Sequence, residues 1–190
     1  MEHVFVVDKI FEKANVSEQP LTAGEYERCT FTGCDFTESD FADIHFIECS
    51  FETCNRSLVR LKKTSFRDVV FKDCKMLGTR FYQANEFGLA FRFDGCILDH
   101  SSFYQMNIKN TVFRNCRIVE ADFTQAELTG ATFEDCDLSG TLFENTVLEK
   151  ADLRSAIHYA INPQTNKIKK AKFSAHGLAG LLHQYDIEID

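Results

Sequence analysis

Thiols, imidazoles and carboxylates are the groups in this sequence able to do chemistry, and their spacing decides which kind. The chain has eight cysteines, six histidines and 29 acidic residues among its 190. Clustered cysteines can hold zinc, form disulfides or act as nucleophiles. The short Cys-x-x-Cys spacing of a zinc site is missing. Instead Cys29, Cys34, Cys49, Cys74, Cys96, Cys116 and Cys136 each stand two residues before a large apolar residue, respectively Phe31, Phe36, Phe51, Met76, Leu98, Ile118 and Leu138. Cys54 precedes Arg56. A placement this regular belongs to a repeat, so the expectation is reduced thiols that pack, in a reducing cytosol. The histidines His3, His45, His100, His158, His176 and His183 are scattered. Glycine-rich phosphate loops, nucleophile elbows and His-Glu-x-x-His are absent. Neither catalysis, nor a metal, nor a cofactor is expected.

The elements behind this spacing follow from the apolar residues themselves, which recur every five positions. Their centres run Phe31, Phe36, Phe41, Phe46, Phe51, then Leu61, Phe66, Phe71, Met76, Phe81, and after a break Leu98, Phe103, Ile108, Phe113 and on to Leu153. Compact residues such as Thr64, Thr79, Ala121, Ala131 and Thr146 sit two before a centre. A spacing of two puts both side chains on one side of an extended backbone, and the next inward pair then needs a corner. Five matches neither the helical nor the strand period. Short edges and corners make a coil.

Cys34, Cys54 and Cys74 are 20 apart, as are Cys96, Cys116 and Cys136. Four pentads per circuit stack each series in one column, as parallel in-register ladders at about 4.8 Å favour. The prediction is an all-β, four-cornered β-helix filled with Phe and Leu, closed by a short C-terminal capping helix. Two extra residues must enter between Phe81 and Cys96, where Phe87, Leu89, Phe91 and Phe93 alternate as in a longer edge or a bulge. Because an unpaired buried arginine is costly, the corner at Arg56 is expected to open to solvent or to pair the guanidinium. Residues 1–25 read as a cap and lead-in, 26–157 as the repeat with its phase break near 82–95, and 158–190 as a final coil, capping helix and tail. His158 falls in a centre slot. Leu178, Leu181, Leu182 and Tyr185 belong to the capping helix, which covers the last coil, docks on a second copy, or does both. No membrane span or signal peptide is legible, so a soluble cytoplasmic protein is expected.

Ala121-Asp122-Phe123-Thr124-Gln125, Ala126-Glu127-Leu128-Thr129-Gly130 and Ala151-Asp152-Leu153-Arg154-Ser155 resemble the repeat of the pentapeptide repeat proteins. The resemblance covers about Tyr26 to Leu153. It implies a right-handed quadrilateral β-helix, the hand coming from the resemblance alone. Within the family the chain is most similar to the Qnr-type members, cytoplasmic bacterial proteins that protect DNA gyrase and topoisomerase IV from quinolones and are thought to mimic duplex DNA. The carboxyl end beginning at Asn162-Pro163 fits their dimeric arrangement.

The formal charge is −8. Between Ile118 and Asp152 the acids Glu120, Asp122, Glu127, Glu134, Asp135, Asp137, Glu144, Glu149 and Asp152 face only Lys150. At about 4.8 Å per circuit this is roughly one net charge per Å of axis, against one per 1.7 Å of duplex DNA. These nine acids are the expected partner-binding set. A basic belt of Arg56, Arg60, Lys62, Lys63, Arg67, Lys72, Lys75 and Arg80 interrupts the acidity. It is expected to lack exposed aromatics for stacking, so direct nucleic-acid binding is not expected. Two functions stand: a non-enzymatic DNA mimic acting on a type II topoisomerase, or an interaction solenoid for another cytoplasmic partner.

Overall fold

A pentad with two inward residues needs a short extended edge and a sharp corner, and the chain has both. The computed structural model describes residues 3–16 and 20–188; residues 1–2 and 17–19 of the 1–25 segment and 189–190 of the 158–190 segment lie outside the described residues. Corners are turned by the residue two after most centres, which adopts left-handed backbone: φ is 57° at Glu38, 62° at Lys63, 58° at His100 and 59° at Gln125. That conformation is easy for Gly78 and Asn110, and less so for bulky Leu58, where φ is also 57°.

Eleven strands occur among the described residues: β1 (Val4–Val7), β2 (Ile10–Glu12), β3 (Gly24–Glu27), β4 (Thr30–Thr32), β5 (Ile44–Ile47), β6 (Ser50–Glu52), β7 (Ser65–Arg67), β8 (Val69–Lys72), β9 (Phe91–Asp94), β10 (Val112–Arg114) and β11 (Thr132–Glu134). One face is the parallel sheet β1-β3-β5-β7, and the next is β2-β4-β6-β8-β9-β10-β11. Partners lie 20 residues apart, as in Phe31 with Phe51 and Phe113 with Phe133. The other two faces are ladders of single bridges, such as Asp35–Asn55–Lys75 and Ser102–Asp122–Leu142. Four pentads therefore close a circuit, as the cysteine spacing predicted.

Inside the shaft like stacks on like. The rings of Phe31 and Phe51 lie 4.6 Å apart at 7°, and those of Phe113 and Phe133 4.9 Å apart at 2°. Rings of neighbouring columns meet edge to face, as Phe113 and Phe123 do at 83°. Parallel stacks along the axis joined by edge contacts across it satisfy the aromatic quadrupole in both directions.

The compact position two before each centre carries a second rule. Its thiol or hydroxyl donates to the carbonyl of the centre one circuit below: Cys54 Sγ to Phe31 at 3.3 Å, Cys74 Sγ to Phe51 at 3.3 Å, Thr64 Oγ1 to Phe41 at 2.8 Å and Thr146 Oγ1 to Phe123 at 2.8 Å. Small size is what the slot selects, and a donor, where present, finds that carbonyl, so cysteine, threonine and alanine interchange there. All eight cysteines are buried and free.

Ser65 still bridges Asn85 at an interval of 20, whereas Val69 pairs with Phe91 at 22. The two additional residues thus fall between Asn85 and Phe91. Of the alternating apolar residues there, Phe91 and Phe93 point inward, Leu89 is half-buried and Phe87 is thrown outward, 77% exposed. A bulge, and not a longer edge, absorbs the insertion.

The final coil rejoins the ladder through Val147–Lys167 and Asp152–Lys172. The inward slot expected for His158 is taken by Tyr159, while His158 lies on the surface against Asp137 at 3.0 Å. Asn166 replaces a thiol with an amide that donates to the Phe143 carbonyl at 2.7 Å and accepts from the Thr146 N–H at 2.8 Å. A short helix α1 (Ala179–Leu182), flanked by 3₁₀ turns, closes the end. Gly177 and Gly180 permit this closure, since a Cβ at Gly180 would lie 2.1 Å from the Tyr159 carbonyl oxygen.

Candidate interaction surface

The shaft is filled, so any functional chemistry sits on the outward positions. Burial first, and then the neighbouring Cys29 thiol, push the Cys49 thiol up to about 12, which keeps it protonated and unreactive at neutral pH. Among the described residues no group of three or more His, Cys, Asp or Glu side chains is placed to hold a metal ion. No helix of the described residues is long and apolar enough to cross a membrane.

The nine acids of 118–152 do not form one stripe. Ladder membership puts Glu134, Asp135 and Asp152 on the seven-stranded face, and Glu120 and Asp137 on the face of the Asp35 ladder. Asp122 and Glu144 lie on the face of the Arg80 ladder, and Glu127 and Glu149 on the fourth face. The carboxylates encircle the coil.

Bases distant in sequence come beside them. Glu134 meets Arg114 at 2.8 Å, Asp137 meets His158 at 3.0 Å, Glu120 meets His100 at 3.2 Å and Glu127 meets Lys109 at 3.8 Å. Asp152 takes Arg154 at 2.7 Å and Lys172 at 3.5 Å. The Arg154 hydrogen bond, with the nearby Lys172 charge, holds the Asp152 carboxyl down at about 2. Asp122 instead caps its own turn by accepting the Thr124 N–H at 2.8 Å. Glu144, Glu149 and Asp135 have no ion pair among the described residues and keep their charge uncompensated.

Arg56 overturns its expectation. The corner does not open, and the guanidinium does not pair: the side chain is fully buried, and none of its three nitrogens has a hydrogen-bond partner. It lies among ring faces, with Cζ 4.1 Å from the Phe51 centroid, 4.7 Å from Phe71, 5.0 Å from Phe41 and 5.5 Å from Phe66. Burial lowers it to about 10, so it remains a cation at neutral pH. The negative faces of the rings supply what a carboxylate would, at about 2 kcal/mol or more for a desolvated cation–π contact.

The rest of the belt divides between faces. Arg60 pairs with Asp40 at 3.3 Å and Lys63 with Asp43 at 3.8 Å, one circuit below. Lys62 and Arg80 have no ion pair among the described residues. The expectation that the belt lacks exposed aromatics fails: Tyr82, two residues from Arg80, is 41% exposed and Tyr104 above it 37%. In the cap Leu181 packs against the core, while Leu178, Leu182 and Tyr185 are exposed. Tyr185 is held there by the Gln164 amide, which donates to its hydroxyl at 3.0 Å.

The sequence matches the family described as a pentapeptide repeat region over residues 25–92 and 89–162. The chain belongs to the pentapeptide repeat family. Among solved structures it is similar to full-length QnrB1, a plasmid-mediated fluoroquinolone resistance protein, at 16% identity over 95% of this chain and 99% of that one, with a TM-score of 0.51. A trypsin-treated QnrB1 variant gives 19% identity, 97% coverage of both chains and a TM-score of 0.49. HetL, a pentapeptide repeat protein of the cyanobacterium Nostoc involved in heterocyst differentiation regulation, gives 14%, 88% and 84% coverage and 0.43. At these identities the likeness is one of fold. No curated protein matches the sequence.

In a pentapeptide repeat protein the surface is read along columns of residues one circuit apart, and a linear window of sequence cuts across those columns. For that reason Lys109, Arg114 and His158 were missed as partners of the acids, and Tyr82 and Tyr104 as an exposed aromatic pair. An offset of 20 finds Arg114 from Glu134, and 22 across the bulge finds Tyr104 from Tyr82, whereas Lys109 and His158 lie 18 and 21 residues from Glu127 and Asp137 and need the corner geometry as well.

Proposed function

We propose that this pentapeptide repeat protein is a non-enzymatic acidic solenoid that docks in the positively charged DNA-binding groove of a type II topoisomerase, DNA gyrase or topoisomerase IV, and shields it from quinolones. The observation that carries this reading is the girdle of carboxylates on all four faces between Ile118 and Leu153. A groove shaped for duplex DNA meets negative charge whichever face it touches. Glu144, Glu149 and Asp135, free of ion pairs, are the leading contacts, with Asp122 beside them. The paired carboxylates of Glu120, Glu127, Glu134, Asp137 and Asp152 are available by exchange of their surface bases, since such pairs are worth at most about 1 kcal/mol. Association is steered by charge and weakens with salt. The shared fold with QnrB1, itself a fluoroquinolone resistance protein, supports the reading. A cytoplasmic homodimer built on Leu178, Leu182 and Tyr185 is part of the same proposal, because these exposed apolar groups at one end suit a two-fold contact.

The test is a supercoiling assay with purified gyrase and a quinolone. Submicromolar protein should restore supercoiling, and Glu144→Lys with Glu149→Lys should weaken the effect at least tenfold. Absence of protection at every protein concentration ends the proposal. One observation favours a second reading, an interaction solenoid for another cytoplasmic protein: five of the nine acids are matched by bases of the same chain. Affinity capture that returns a single other protein and no topoisomerase supports it.

A further inference from the structure

We infer that the basic window on the Arg80 face is a docking site for the acidic tail of a second copy of this chain. Lys62 and Arg80 are exposed and carry no ion pair among the described residues, while Tyr82 and Tyr104 stand beside them with their rings uncovered. Two surface depressions meet at Tyr82: one is lined by Arg60 and Lys62, the other by Arg80, Ser102 and Tyr104. Gly78 and exposed Leu58 also line the second, the Leu58 side chain packing where a Cβ on Gly78 would lie only 2.9 Å from its Cδ2.

The window is short. Asp40 and Asp43 close it one circuit below, and Asp122 closes it above Ser102. The favourable stretch therefore spans roughly two circuits, about 10 Å, which a peptide of three or four extended residues fills. A polyanion running along the axis meets carboxylates at both ends, so an acidic peptide is favoured over nucleic acid.

The chain itself carries such a peptide. Asp186, Ile187 and Glu188 alternate carboxylate and aliphatic side chains, all three are exposed, and none has an ion pair among the described residues. Carboxylates from one side of an extended strand suit Lys62 and Arg80, and Ile187 suits the tyrosine rings. The tail cannot serve its own window. Arg80 lies three circuits below Leu142 through the bridges Arg80–Ser102–Asp122–Leu142, about 14 Å, and Gln164, which holds Tyr185, is farther still. Glu188, three residues beyond Tyr185, reaches only about 10 Å from it and Asp190 about 17 Å, short of the four circuits, about 19 Å, between Arg80 and the coil of Gln164, over a path lined by Glu144 and Asp122. The occupant comes from another copy.

The probe is a fluorescent peptide of the sequence His183 to Asp190, titrated into full-length protein at low salt and read by anisotropy. It should bind, weaken at least tenfold in Lys62→Glu with Arg80→Glu, and weaken likewise at half-molar salt. A Glu188→Lys peptide should bind the charge-reversed protein better than the natural peptide does. In sedimentation velocity, removing residues 186–190 while keeping Leu178 to Tyr185 should lower self-association, as should Lys62→Glu with Arg80→Glu. No peptide binding, binding indifferent to the double substitution, or a single-stranded oligonucleotide that competes for the window more tightly than the peptide overturns the inference. The gyrase assay is read through Glu144 and Glu149 and the peptide assay through Lys62 and Arg80, so either proposal can fail alone.

Discussion

The coils from Leu98 to Leu153 and those from Arg56 to Phe93 are written in the same pentad, yet the first are uniform and the second are broken twice. In the upper coils every centre holds an aliphatic or aromatic residue, and partners keep an interval of 20. In the lower ones a cation fills a slot of the shaft, and a bulge throws Phe87 to the surface. Both defects break the translational degeneracy of a repeat, in which a slip of one circuit restores most contacts. A buried polar group that costs stability and fixes register has precedent in coiled coils. The lesson is that a solenoid accepts a misfit where the neighbouring circuits supply compensating chemistry, here ring faces for Arg56.

The comparison can be sharpened by mutation. The largest effect is expected at Phe51→Ala, which removes packing and also the ring nearest Arg56. Its cost in urea denaturation should exceed that of Phe133→Ala in the uniform coils, which should lose about 3–5 kcal/mol. In an Arg56→Met background the excess should vanish, a coupling of about 1–2 kcal/mol in the double-mutant cycle. Equal losses at the two phenylalanines, with no coupling, contradict the role given to the rings.

Next in size is Arg56→Met alone. Replacing a buried, unpaired charge by an apolar side chain of similar length should raise stability by about 1–4 kcal/mol, measured as a higher midpoint with unchanged slope. A large loss instead shows that the guanidinium finds an acceptor inside the shaft.

The smallest effect belongs to the outer surface. Asp152 is held at about 2 in the folded chain, against about 3.9 when unfolded. Its contribution is therefore complete above about pH 4 and is lost as pH falls through about 2. Asp152→Asn should lower the melting midpoint by the equivalent of about 1 kcal/mol or less at pH 6, and the gap should close on acidification. A gap that persists at pH 2 removes the ion pair as its cause.

The edges and corners were legible because five is an unusual period and few backbones satisfy it. The alternation around Phe87 was less so, since period two does not say which of four apolar residues a bulge expels. His158 and Tyr159 are adjacent, and only the cap that packs on Tyr159 through Gly177 and Gly180 decides between them.

What the sequence determined by itself is the shaft: a period of five with compact residues before large apolar centres prescribes short edges and corners, and the 20-residue spacing of the cysteines sets four edges per circuit and the stacking of thiol over thiol and ring over ring. That follows from local geometry repeated many times. What only the tertiary structure decided is the surface and the one exception within. Stacking brings residues 20 apart to about 4.8 Å, so a carboxylate's neighbours lie a full circuit away in sequence. Charge counted along the chain gave Lys150 as the sole base of the acidic stretch, whereas charge counted across the coils adds Lys109, Arg114, Arg154 and Lys172. Arg56 follows the same logic, because a cation with no acidic neighbour in its own pentad is balanced by four rings from the coils around it.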